Sequence, residues 1–269
     1  MDFTGDSTIK KVPAGKLLIR RRIFILPLCV LLLGCLFVVY FFTWRPSDNN
    51  YKDASTQLQS MQASVRAISD TLDTVIYPGL VDGKLATELQ QKQEAYLKAA
   101  NSLSDNPVVH RDLVIRSAYS QVSSSLSKYQ TALNDLISSV NYYVAVVENC
   151  NSFATNKNSL KGTTAFNQSV AACKMALANA RQSPKNAFYD KFLNQYVTSA
   201  TSLVDTYSQL ADATTAPAIK SIEKDLVEKA GSILTLKTTE FSLRITPDPT
   251  NTLTDLLKDV QLQNKATLR

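Results

Sequence analysis

Two patterns of hydrophobic positions divide the chain. From Ile23 to Trp44 every face is apolar and no charge interrupts the run, whereas beyond Trp44 apolar residues return at alternating spacings of three and four. The first pattern predicts a membrane span, because a helix of that length covers about 33 Å and a hydrocarbon core is about 30 Å thick. The second predicts amphipathic helices that each bury one stripe.

Tyr51, Ala54, Leu58, Met61, Val65, Ile68, Leu72 and Val75 form the first seam, which Tyr77-Pro78-Gly79 interrupts. A second helix is expected from about Lys84 to Leu103. Asp105-Asn106-Pro107 then ends one helix and caps the next, with proline in the first turn. The third, from Pro107 to Glu148, would run roughly 60 Å. After the loop-like stretch 149–162, helices are expected at about 163–182, 186–213 and 217–236. Residues Phe241, Leu243 and Ile245 alternate like a short strand, Pro247 and Pro249 interrupt, and Leu253 to Leu262 suits a last short helix.

The expected fold class is all-α: an N-terminal single transmembrane helix followed by an elongated antiparallel helical bundle of about six helices. The expected segments are a basic cytoplasmic stretch (1–22), a transmembrane signal anchor (23–44), an extracytoplasmic bundle (45–240) and a C-terminal tail (241–269). The sustained seam also suits an oligomeric coiled coil. However, the flanking positions of the first helix, such as Ser55, Gln57, Gln62 and Ser64, lack the opposite charges that commonly select a partner helix.

Charge sets the topology. Lys10, Lys11, Lys16, Arg20, Arg21 and Arg22 precede the span, while Arg45 and Lys52 after it are matched by Asp48 and Asp53. The positive-inside bias places the N-terminus in the cytoplasm and everything beyond Trp44 outside, with Tyr40 and Trp44 in the outer interfacial belt. A cleaved signal peptide fits less well, since its apolar region is usually 7–15 residues and ends at small residues. Leu32-Leu33-Gly34-Cys35 resembles a bacterial lipobox, which leaves lipidation at Cys35 as an alternative. The formal charge of +6 shrinks once it is divided: residues 1–43 carry +4 and the rest only +2. That gives no reason to expect a nucleic-acid partner.

Candidate chemistry is sparse. Cys150 and Cys173 lie in the exported part, where they would either pair as a disulfide or remain as two buried thiols. His110 is the only histidine and no CxxC or HxxxH spacing occurs, so no metal or cofactor is expected. Ser125/Lys128 and Ser221/Lys224 have Ser-x-x-Lys spacing without companion motifs, and Asp70/Asp73 and Asp255/Asp259 suit a solvated helix face. Tyr96, Tyr119, Tyr129, Tyr143, Tyr189, Tyr196 and Tyr207 mostly occupy the seams, as core residues or as the lining of a ligand pocket. Asn167-Gln168-Ser169 is a glycosylation sequon only in a eukaryotic secretory pathway.

These features lead to the expectation of a non-enzymatic, membrane-anchored scaffold, spacer or adhesion module of the cell envelope, partnered by another envelope protein. The alternative is a ligand-sensing bundle that signals through a partner. In architecture alone it is similar to the periplasmic input domains of bacterial chemoreceptors and sensor kinases.

Overall fold

The computed structural model describes residues 30–39, 45–150, 164–182 and 192–267, and every regular element among them is helical. The chain divides into two compact units, Met1–Ser47 and Asp48–Arg269. In the first, residues 30–39 form a helix that is exposed throughout. The rest of the expected span over 23–44, including Tyr40 and Trp44, lies outside the described residues. Among the described residues no helix is long and apolar enough to cross a membrane.

The second unit is a helical bundle. Its helices are α1 (Asp48–Asp73), α2 (Gly83–Ser104), α3 (Pro107–Arg111), α4 (Leu113–Cys150), α5 (Thr164–Arg181), α6 (Asn194–Asp212), α7 (Ala216–Thr238) and α8 (Thr250–Thr267), with a 3₁₀ turn at Pro78–Leu80. The α1 seam is buried from Tyr51 to Leu72. The α2 helix opens on Asp82, whose side chain accepts the Leu85 N–H at 2.8 Å, and it returns antiparallel to α1. That direction is fixed by Thr71 bonding to Glu88 and by Lys92 Nζ donating to the Ala67 carbonyl at 3.3 Å.

Two elements depart from expectation. The third helix is not continuous from Pro107 to Glu148 but breaks at Asp112. The backbone there is extended (φ −83°, ψ 118°), and Oδ1 accepts the N–H groups of Val114 and Ile115 at 2.9 and 3.1 Å, capping α4. Apolar periodicity hides this break because Val108, Val109 and Ile115 are buried on both sides of it. The second departure is the C-terminal region. Residues 239–249 form an irregular strap, bent at 239 and at 246–247, that pairs with no strand, and α8 is longer than expected and part of the core. Leu253, Leu256 and Val260 of α8 are buried, and Gln62 of α1 donates to Thr254 at 3.0 Å.

Helix α4 is the shared member. Its Tyr129 meets Tyr96 of α2 edge-on at 5.3 Å, Tyr143 meets Tyr196 of α6 at 4.9 Å, and Cys150 is joined to Cys173 of α5. Helix α7 packs on α6 and on the 3₁₀ turn. A Cβ at Gly79 would lie 3.2 Å from the Lys237 carbonyl oxygen, so glycine permits this close approach. The strap leaves α7 pinned at one end: the Phe241 N–H donates to Ile76 O at 3.0 Å, and its ring lies 5.7 Å from that of Phe192.

Candidate functional site

A cleft of about 640 Å³ that brings polar and apolar groups together lies between α1, the strap and the start of α8, with Tyr129 of α4 lining it. That volume lies in the range of ligand pockets. Each wall follows from local chemistry. Helix α1 buries Val65, Ile68 and Leu72, and its neighbouring positions Arg66, Ser69, Asp70 and Asp73 reach the cleft rim. Burial alternates along the strap, with Leu243 buried, Ile245 half-buried, and Ser242, Arg244 and Thr246 exposed. Asp248 closes the strap: its Oδ1 accepts from the Thr250 N–H at 2.9 Å and the Thr250 hydroxyl at 2.6 Å, starting α8.

The strap runs antiparallel to α1, since Phe241 is bonded beside Ile76 and Thr254 beside Gln62. Arg66 and Asp248 therefore share one end of the cleft, and Asp70, Asp73 and Arg244 the other. Among the described residues none of the side chains of Arg66, Asp70, Asp73 and Arg244 makes an ion pair or a hydrogen bond. Tyr129 is only 2% exposed, and its hydroxyl has no hydrogen-bond partner among the described residues. Burial raises its pKa well above the ordinary 10, with Tyr96 and then Asp248 acting in the same direction. The phenol is thus a neutral donor at the cleft floor.

The strap backbone is also unsatisfied. Among the described residues, neither the N–H nor the C=O of Ser242, Leu243, Arg244, Ile245 or Thr246 makes a hydrogen bond within the protein. Leu243 is 2% exposed, so part of this backbone is shielded from water without a protein partner.

The residues singled out from sequence are scattered. Cys150 and Cys173 are bridged at an S–S distance of 1.94 Å and a Cα–Cα distance of 4.9 Å, fastening the end of α4 to α5. Cys35 is an exposed free thiol on the 30–39 helix. His110 is exposed on α3, and Asp255 pairs with Lys258 at 3.2 Å on the surface of α8. No His, Cys, Asp or Glu cluster able to hold a metal occurs among the described residues. Tyr96, Tyr129, Tyr143, Tyr196 and Tyr207 are core residues, and Tyr189 lies outside the described residues. Of the carboxylate pairs, only Asp70/Asp73 lines the cleft. Sequence reasoning did not single out Arg66 or Arg244. The alternation at 241–245 was the one local sign of the strap, and nothing local showed that it would lie along α1.

Compared with known proteins, the chain matches no protein family, no curated protein and no solved structure.

Proposed function

We propose that the chain is a non-enzymatic binding module of the cell envelope: a span over 23–44 anchors it in the cytoplasmic membrane, and the antiparallel bundle outside engages another envelope protein. The observation that carries this reading is the cleft, one wall of which is non-helical chain with open backbone groups. Such a wall suits a polypeptide better than a compact metabolite. The Cys150–Cys173 bridge favours an oxidising compartment and so supports the exported topology. The test is photo-crosslinking in intact cells from Ser69 and Ser242, with protease shaving of a C-terminal epitope alongside. A specific protein adduct from a shaved chain is expected; protection of the epitope until lysis would sink the topology, and shaving without any adduct would sink the interaction.

A second reading is small-molecule sensing, favoured by the Tyr129 hydroxyl, which has no partner at the cleft floor. A ligand that raised the thermal midpoint of the wild type but not of Tyr129→Phe would favour it, because specific binding stabilises by mass action.

A further inference from the structure

We propose that the strap receives an extended segment of another protein as an added β-strand lying in the cleft beside α1. This rests on the interaction reading above and names the chemistry of the partner. Three observations converge on it. Residues 242–246 alternate exposed and more buried side chains, the pattern of a strand, yet they belong to no sheet. Their backbone groups have no partner among the described residues, although Leu243 is almost wholly buried. The space beside them is a cleft of about 640 Å³ rather than packed protein.

An unpaired strand edge is a template for another chain, and natural folds usually cover or blunt it. Here Pro247 and Pro249 end the edge but leave five residues of it open. In strand conformation five residues span about 17 Å, enough to pair with an incoming segment of four or five residues. Backbone pairing would supply affinity with little regard to sequence, and the α1 rim would supply selection. Along α1, Arg66 precedes Asp70 by one helical turn, about 6 Å. Side chains two apart on one face of a strand are separated by about 6.6 Å. On its side toward α1 the favoured segment therefore carries an acidic residue near Arg66 and a basic one two positions away near Asp70 and Asp73, the exposed Arg244 and Asp248 of the strap presenting the reverse order on the opposite side, with an apolar side chain set against Leu243 or Val65. The Tyr129 hydroxyl offers a donor to a carbonyl of the incoming chain.

The experiment uses the full chain in detergent micelles and a phage-displayed library of random linear heptapeptides. Selected peptides should share an acidic and a basic residue two positions apart within an alternating apolar pattern. N-methylating alternate backbone amides of a synthetic binder should weaken it about tenfold or more, the consequence of losing one or two net hydrogen bonds. The double exchange Arg66→Asp, Asp70→Arg should invert the charge order of the peptides selected, with an unchanged thermal melt showing that the fold is intact. No enriched peptide, or binding indifferent to both N-methylation and the charge exchange, would overturn strand addition. Cellular crosslinks from α7 instead of the cleft would leave the interaction reading standing while this inference falls.

Discussion

Tyr51 and Asp112, 61 residues apart in sequence, share a 2.5 Å hydrogen bond in which the phenol donates to Asp112 Oδ2. Asp112 has already committed its other oxygen to capping α4, so one side chain fastens the start of α1 to the break between α3 and α4. Tyr51→Phe should cost about 1.5–3 kcal/mol, the range of a hydrogen bond to a charged group, and Asp112→Ala should cost more because a cap worth about 1 kcal/mol goes with it. A double-mutant cycle in chemical denaturation should give a coupling of about 1 kcal/mol or more. Strict additivity would show that the pair is not formed in solution.

The bridge between Cys150 and Cys173 closes a sequence separation of 23 residues. On the chain-entropy view this contributes about 3 kcal/mol. Cys173→Ser should lower stability by that order, and a reductant should bring the wild type down to the variant while leaving the variant unmoved. Equal melting of the oxidised wild type and Cys173→Ser would contradict the assignment.

Much of the bundle was legible because burial repeats with the helical period: the seam read on α1, from Tyr51 to Leu72, is the buried face in the structure. The break at Asp112 was not legible, because capping is a local polar event superimposed on an unbroken apolar rhythm. The role of α8 was hidden for a different reason. Pro247 and Pro249 mark the end of an element, but nothing in a proline says whether the following helix returns to the core. The cleft was least legible of all. Arg66, Tyr129 and Arg244 come from three separated segments, and periodicity assigns each residue to a face without saying which faces meet.

Acid should weaken the polar contact that joins α1 and α2 at Glu88. The Glu88 carboxyl is held below its ordinary value of 4.5, chiefly by its hydrogen bond from Lys92 and next by that from Thr71. Lys92 Nζ lies 2.6 Å from Glu88 Oε1 and also donates to Thr71 Oγ1. Since the folded pKa lies below the unfolded one, the contribution is present above about pH 4.5 and is lost as the pH falls through the folded value. Thermal midpoints measured downward from pH 5 should fall in the wild type, and more shallowly in Glu88→Gln. The same slope in both would remove Glu88 from the account.

Tyr129 and Tyr143, both buried tyrosines of α4, separate the contribution of a hydroxyl from that of a ring. The Tyr129 hydroxyl has no partner among the described residues, so Tyr129→Phe should leave stability within about 0.5 kcal/mol of the wild type or raise it slightly. Tyr143 is fully buried, with its ring edge-on to Phe192 at 5.5 Å and to Tyr196 at 4.9 Å. Tyr143→Ala should therefore cost about 3–5 kcal/mol through cavity formation and lost ring contacts. Urea melts of the two variants test this directly, and a large loss from Tyr129→Phe would mean that its hydroxyl is engaged within the fold.

The last helix decides whether the C-terminal region is a tail or a structural member. Leu253 and Val260 are fully buried, Leu256 is nearly so, and Gln62 of α1 bonds to Thr254. Leu253→Ala should accordingly cost about 2–5 kcal/mol, as for other large-to-small changes in a packed core. Leu262, on the same helix but 63% exposed, is the control, and Leu262→Ala should stay within about 0.5 kcal/mol. Truncation after Pro249 should do more than remove a helix. It would expose the apolar seam of α1 and release one end of the strap, so amide exchange should rise along α1 and across 241–246 as well as near the cut. If exchange rose only next to the truncation and Leu253→Ala melted like Leu262→Ala, α8 would be an appendage, and the cleft would lack the wall that its formation requires.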